Sequence, residues 1–407
     1  MTKVLAMVLA GGEGSRLFPL TQRHCKPMVP FGGIYRLVDL PLSNCVNSGI
    51  RQIFILTQHK PLTLHRHVRH AWNILSGPLG EFAEILPPMR RISDNWYLGT
   101  ADAIHQNIES VRDIAPHYVV ILSADHVYKM NYVRLIEWHC RQHADVTIAT
   151  TQVTPADAHQ FGIVRLDRAC RILSFEEKPQ HAEVSRSCFN PSACSASMGI
   201  YVFSTPVLVE ALRRDAANEN SNHDFGRDVI PALIEEGHRV FAFDFIDENR
   251  KEIRYWRDVG TLDAYHQASM DLVSPVPVFN LYDDTWPIRA ALPVAPPAKF
   301  VFGSHERRGM ALDSLVSHGC IVSGGSVVRS ILSPGVRIHS YSEVEESILF
   351  ENSSVGRHSR VRRAIVDAGV SIPPDTTIGF DAELDRARGY TVTPEGITVV
   401  SETVHGS

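Results

Sequence analysis

Two cations and a carboxylate stand where phosphate chemistry could use them. Arg16 closes the glycine-rich stretch GGEGSR (residues 11–16), Lys26 follows ten residues later beside Pro27, and Asp125 ends the apolar run YVVILSAD (118–125). Gly11, Gly12 and Gly14 leave backbone N–H groups free to close on a phosphate chain, and the Arg16 guanidinium adds a planar donor fork. The stretch is not a P-loop, which needs Lys-Ser/Thr after its last glycine, nor G-x-G-x-x-G, because Leu17 replaces the third glycine. Pro27 disfavours a helical conformation at Lys26, so the lysine is expected on an extended stretch reaching back over the loop. Cations converging there would stabilise charge developing on phosphorus, whereas the plain alternatives are a tight turn and a surface lysine.

A carboxylate at the end of a buried strand is costly without compensation, and a metal ion supplies it. Mg²⁺ takes one or two carboxylates together with phosphate oxygens, which makes Asp258, in YWRDVGT, the second candidate beside Asp125. The competing readings of Asp258 are a helix cap and an ion pair with a nearby arginine. In SFEEKPQ (174–180), Glu177 and Lys178 set an acceptor beside a cation, which suits a sugar hydroxyl and a phosphate or a solvated turn. NWYLGTADAI (95–104) carries Trp96 and Tyr97, then Gly99, Thr100, Ala101 and Asp102 opening a helix that could face an anion or be ordinarily capped. His59, His65, His67 and His70 have neither the spacing nor an acidic partner for a metal site, and Ser197 lacks a nucleophile elbow.

These residues need strand exits to hold them. VLAMVLA (4–10), QIFILTQ (52–58), YVVILSAD, DVTIATTQV (145–153), SMGIYVFS (197–204) and VFAFDFI (240–246) read as buried strands, and 207–218 reads as a helix. Their alternation predicts a three-layer α/β domain over 1–271 with a mostly parallel sheet, whose ligands sit at the strands' carboxyl ends. Prolines cluster in 272–300, a linker packed along a domain surface. A second domain, all β, is expected over 301–407: from Ser314 to Phe380 aliphatics recur at spacings near five to six, with Val322, Val327, Val336, Val344, Val355, Val361 and Ile378 marking the beat. That period predicts a left-handed parallel β-helix, with a two-sheet sandwich as the alternative.

Of the 407 residues, 40 are Lys or Arg and 45 Asp or Glu, for a net charge of -5, which supplies neither a nucleic-acid stripe nor a polybasic membrane patch. The first apolar run is too short for a signal segment or a membrane span. The 7 cysteines are scattered and form no C-x-x-C pair, as expected of reduced thiols in a cytoplasmic protein.

Taken together, LAGGEGSRLFPLT, KPMVPFGG, LSNCVNSGI, NWYLGTADA, SADHVYK, FEEKP, SASMGIY, NSNHDFG, YWRDVGT and LVSHGCIVSG resemble the bacterial glucose-1-phosphate adenylyltransferases, a branch of the sugar nucleotidyltransferases. The resemblance implies transfer of AMP from ATP to glucose 1-phosphate, giving ADP-glucose for glycogen synthesis, with Mg²⁺ and allosteric effectors, in a homotetramer. Carried over by position, it implies ATP contacts at Gly11, Gly12, Gly14, Arg16, Lys26, Gln58, Gly99, Thr100, Ala101 and Asp102. Tyr97, Gly162, Glu177, Lys178 and Ser197 fall at glucose-1-phosphate positions, and Asp125 and Asp258 at metal positions, with Arg16, Lys26 and Asp125 the catalytic group. Ile34 stands where many members carry an activator-binding lysine, which argues against fructose-1,6-bisphosphate activation. A nucleotidyltransferase using UTP or dTTP, and a non-catalytic regulatory subunit, are the alternatives.

Overall fold

The strand Val4–Leu9 (β1) owes its central place to an apolar residue at every position, which lets it bury both faces. In the computed structural model, which describes residues 2–12, 14–87, 96–179, 193–246, 254–291, 294–304 and 307–401, Leu5 and Met7 enter one core and Ala6 and Val8 another. Glu13, Asn95, Gln180, Cys188 and Pro293, all within stretches discussed above, lie outside the described residues. The other strands of the main sheet and of the ribbon beside it are Gln52–Leu56 (β2), Phe82–Leu86 (β3), Tyr118–Ser123 (β4), His126–Tyr128 (β5), Val146–Val153 (β6), Gly162–Leu166 (β7), Ile172–Glu177 (β8), Cys194–Ser204 (β9), Val240–Asp244 (β10) and Trp256–Asp258 (β11).

The main sheet runs β8-β7-β9-β4-β1-β2-β3, with β6 and then β10 branching from β9. Its middle, β4-β1-β2-β3, is parallel, as is the β6 to β10 pair. The long strand β9 runs antiparallel to β4, β6 and β7, and its register slips between Ser197 and Tyr201 around Gly199, whose φ is 66°. The α-helices described in this domain are Asp39–Asn47 (α1), Pro61–Ala71 (α2), Thr100–His105 (α3), Ile108–Ile114 (α4), Tyr132–Arg141 (α5), Thr205–Ala216 (α6), Ile230–Glu235 (α7) and Leu262–Leu272 (α8). Leu42, Leu64 and Leu135 bring α1, α2 and α5 to one face of the sheet; Ala101, Val111, Leu208 and Leu233 bring α3, α4, α6 and α7 to the other. This is the expected three-layer arrangement.

The C-terminal domain is a left-handed parallel β-helix whose three sheets pair coil on coil, which excludes the sandwich. Val344 pairs with Val361 and Val361 with Ile378, and Ser347 and Ser330 bond at a separation of 17 residues, one coil. Every aliphatic of the sequence beat is at most 1% exposed. The corners turn through left-handed residues that recur coil by coil, as in Gly324, Tyr341, His358 and Asp375. One sheet is buried on both sides: Leu332, Leu349 and Val366 point inward, while Ile331, Ile348 and Ile365 pack outward on Tyr265 and Leu262 of α8. Consecutive aliphatics in ILSPG, ILFEN and AIVDAG therefore mark the face docked on the α/β domain.

The proline-rich connection lies along the α/β domain. Trp286 Nε1 donates to Asn44 Oδ1 (2.8 Å), Lys129 Nζ to the Asn280 carbonyl (2.7 Å), and Phe279 is buried. No helix among the described residues is long and apolar enough to cross a membrane.

Candidate active site

The loop after β1 folds back on itself through Gly14, whose φ of 68° suits a residue without a Cβ. A Cβ there would also lie 2.8 Å from Thr21 Cγ2 and 3.1 Å from Lys26 Cβ, and Thr21 Oγ1 donates to the Gly14 carbonyl (2.8 Å). Lys26 is not on an extended stretch: it opens the 3-10 turn Lys26–Met28, and the extended residue is Cys25. Pro27 fits inside that turn because a helix's first residues have no use for an N–H. The turn directs the nearly buried Lys26 ammonium to Asp125 Oδ2, 2.5 Å away.

Asp125 follows directly on the carboxyl end of β4, beside the end of β1. The two-stranded ribbon of β5 and β11 sets Asp258 opposite His126, so the second carboxylate arrives across a strand pair from the first. Neither plain reading of Asp258 holds. Thr261 caps α8, Arg257 pairs with Asp271 (3.6 Å), and Asp258 faces Lys26 Nζ (3.8 Å) and His126 Nε2 (3.9 Å). A Cβ on Gly260 would lie 3.1 Å from both Arg16 Nη2 and Asp258 Oδ1, which puts Arg16 at the same wall. Burial pushes the Asp125 carboxyl up, but Lys26, His126 and the Ser123 hydroxyl outweigh it and hold the carboxyl well below the usual range.

Asp125, His126 and Asp258 each offer a ligand atom within 4.8 Å of the others. Two carboxylates meeting beside a strand exit are a donor set that fits a hard divalent cation such as Mg²⁺. His126 was passed over in the sequence; its signal was adjacency to Asp125 in SADHVYK. Its ring packs edge-on against Trp256 at 5.2 Å.

Beside this cluster lies a cleft of about 210 Å³ whose walls include Gly162, Glu177, Lys178, Ser197, Thr100 and Asp258. Gly162 and Gly226 keep its floor open, since a Cβ on either would come within 3.0 Å of Glu177 Oε2. Lys178 turns through φ 50°, and its ammonium lies 3.5 Å from Glu177 Oε1. Burial, with Asp224 adding, lifts the Glu177 carboxyl above its ordinary value against the pull of Lys178. Asp224, Phe225, Gln160 and Tyr201 complete the wall without having been singled out; NSNHDFG carried the first two in plain sight. Ser197 Oγ accepts from the Gly199 N–H (3.2 Å) at the slip in β9.

Gln58, just past the end of β2, packs 3.6 Å from the Cβ position of Gly11 and accepts the Tyr97 N–H (2.9 Å), so both flank the loop. Tyr97 itself points into the core, where its hydroxyl receives Asn107 Nδ2 (3.0 Å), and it does not line the cleft. In the Gly99 to Asp102 segment the Ala101 and Asp102 amides donate to the His223 carbonyl (2.8 and 3.4 Å), and the Asp102 carboxylate accepts from Leu98 N (2.9 Å) and Gln106 (2.8 Å). Gly99 is required because a Cβ would lie 2.2 Å from that same carbonyl. His67 of the histidine-rich helix α2 instead holds the buried Asp39 (2.7 Å), together with Trp72. A larger cavity of about 670 Å³, lined by Val133, Ile136 and Cys140, lies away from all of these groups.

A sheet whose adjacent strand exits gather a glycine-rich loop, a lysine–aspartate pair and a second carboxylate is built for nucleotidyl transfer, and the chain belongs to that family: residues 5–274 match the family described as Nucleotidyl transferase. Residues 296–400 match the GlmU-like C-terminal hexapeptide family. Among curated proteins it is 55% identical to the glucose-1-phosphate adenylyltransferase of Koribacter versatilis over 98% of this chain and 96% of that one. It is 53% identical to the Rhodopirellula baltica protein of that name (98% and 90%) and 50% identical to that of Shewanella sp. strain ANA-3 (98% and 95%).

Proposed function

We propose that this chain transfers AMP from ATP to α-D-glucose 1-phosphate, releasing pyrophosphate and ADP-glucose for glycogen synthesis. The observation that carries the reading is the meeting of two half-sites at Asp258: the loop with Lys26 and Asp125 on one side, and the cleft with Glu177 and Lys178 on the other. The relatives' shared name supplies the adenine and the glucose.

The sugar phosphate's oxygen is already anionic, so it attacks the α-phosphorus of ATP without a general base; one P–O bond forms, the bond to the β-phosphate oxygen breaks, and pyrophosphate leaves in line. Catalysis then rests on alignment and charge. Arg16 and Lys26 take up charge on the departing pyrophosphate, and Lys26 exchanges Asp125 for phosphate oxygens as the nucleotide enters. Asp125 and Asp258 are the residues that would hold Mg²⁺, whose charge neutralises the triphosphate oxygens. Lys178 meets the sugar phosphate, and Glu177 and Ser197 accept or donate to sugar hydroxyls. Gln58 and the Gly99 to Asp102 segment border the nucleotide as packing elements.

The reading extends to a cytoplasmic homotetramer controlled by small effectors. Ile34 lines a cavity of about 440 Å³ with Tyr35, Ser317 and His318, between the Pro30–Arg36 hairpin and the first coil. An aliphatic there gives a bisphosphate no cation, which supports an effector other than fructose 1,6-bisphosphate. The test is pyrophosphate release from ATP and glucose 1-phosphate, with and without Mg²⁺, and with UTP or dTTP in place of ATP. Release with ATP that needs Mg²⁺ is expected; preference for UTP or dTTP, or silence with every effector, overturns the reading.

A further inference from the structure

Lys60 holds a conformation and a position that local energetics disfavour. It is the N-cap of α2 with φ 45°, a left-handed value that costs a residue bearing a Cβ. It also brings a cation to the positive end of a helix, the worse end for it. Its side chain does not cap the helix. The ammonium turns instead across to the neighbouring strand's loop and donates to the carbonyls of Thr21 (2.7 Å) and Gln22 (2.6 Å).

Those carbonyls follow a short turn, closed by Leu20 N to Leu17 O and Gln22 N to Pro19 O, and carry the partial negative charge that a turn's end leaves for a cation. Thr21 is the next link. Its hydroxyl holds the Gly14 carbonyl, and its methyl packs where a Gly14 Cβ would sit, beside Lys26. Two residues before Lys60, Gln58 packs on Gly11 at the loop's other arm. The exit of β2 therefore grips both arms of the glycine-rich loop.

We propose that Lys60 is a positioning residue for that loop, fixing through Thr21 the place of Gly14 and Lys26 for the nucleotide's phosphates. The inference rests on the ATP reading above. Charge-assisted bonds to two carbonyls, made by one side chain at once, tie to α2 a connection otherwise held by its own short turns and by the Thr21 hydroxyl.

The experiment measures ATP and glucose 1-phosphate binding by calorimetry, and both KM values with kcat, for the full-length wild type, Lys60→Met, Lys60→Arg and Thr21→Val. Lys60→Met is expected to weaken ATP about tenfold in Kd and KM, leaving glucose-1-phosphate affinity and melting temperature within error. Lys60→Arg restores most of the loss, because a guanidinium also donates to paired carbonyls, and Thr21→Val shifts ATP in the same direction. Equal ATP affinity in wild type and Lys60→Met overturns the inference alone, as does parallel weakening of both substrates with a lowered melting temperature. If Lys60→Met does not fold, Thr21→Val decides: unchanged ATP affinity overturns the clamp. A wild type that binds no ATP overturns the ATP reading and this inference with it.

Discussion

At the strand exits of the α/β domain, opposite charges meet from elements far apart in sequence and are largely hidden from water. Lys26 and Asp125 come from different strand exits, with side chains 10% and 24% exposed, and Asp258 joins them from a third element. In the β-helix, opposite charges meet because the fold repeats: Glu343 sits one coil from Arg360 (3.0 Å) and Glu345 one coil from Arg362 (3.9 Å), all largely solvated. The same ion pair thus means different things. In the repeat it is a by-product of register on an outward face; at the strand exits two carboxylates share one lysine, a costly gathering that fits the proposed ligand site.

The largest effect should follow from breaking the gathered pair. Lys26→Met leaves Asp125 without its nearest cation and, on the proposed reading, the pyrophosphate with Arg16 alone, and kcat should fall about a hundredfold or more, some 3 kcal/mol of barrier. Steady-state kinetics on the folded variant checks this; a fall of less than threefold would remove Lys26 from the chemistry.

Next comes the packing that joins the two regions. Ile365 is fully buried between the β-helix and α8, and Ile365→Ala should lower stability by about 2–5 kcal/mol. Denaturant titration measures it, and kcat of the folded variant should hold near wild type.

Acid separates the regions by another route. His139, buried between Thr147 Oγ1 (2.9 Å) and Ser204 Oγ (3.1 Å), is pulled down by burial to a pKa of about 4 from an ordinary 6.5. The unfolded chain therefore binds this proton first. The stability that the neutral ring carries is complete above pH 6.5, declines as pH falls towards 4 and is gone below it, a loss of about 3 kcal/mol. The stability lost between pH 7.5 and 4 should be greater in wild type than in His139→Gln by about 3 kcal/mol, as denaturation at each pH would measure; parallel curves would refute the assignment.

The legibility of the sequence followed the same division. Where structure is set by local repetition or by a wholly apolar run, residues announced it: Val322 to Ile378 gave the coils, and VLAMVLA the centre of the sheet. Candidate residues at strand exits, Asp125 above all, could be named because strand ends are where such sheets bind, and the structure brings Asp125 and Asp258 together at Lys26. What depended on distant partners was not. The β5–β11 ribbon that sets Asp258 opposite His126, the His223 carbonyl that fills the α3 amides, and the antiparallel course of β9 each need a contact that spacing along the chain does not encode.

The smallest effect is the most direct probe of the contrast. Arg360→Ala removes the guanidinium 3.0 Å from Glu343 and 4.5 Å from the centre of the Phe380 ring, both on a solvated face where a pair contributes about 0–1 kcal/mol. Stability should drop by less than about 1 kcal/mol, less again in high salt because screening weakens the wild-type pair, and activity should not change. A drop comparable to that of Ile365→Ala would mean that the inter-coil ladder holds the β-helix together, so that its charges, like those of the strand exits, are placed rather than incidental.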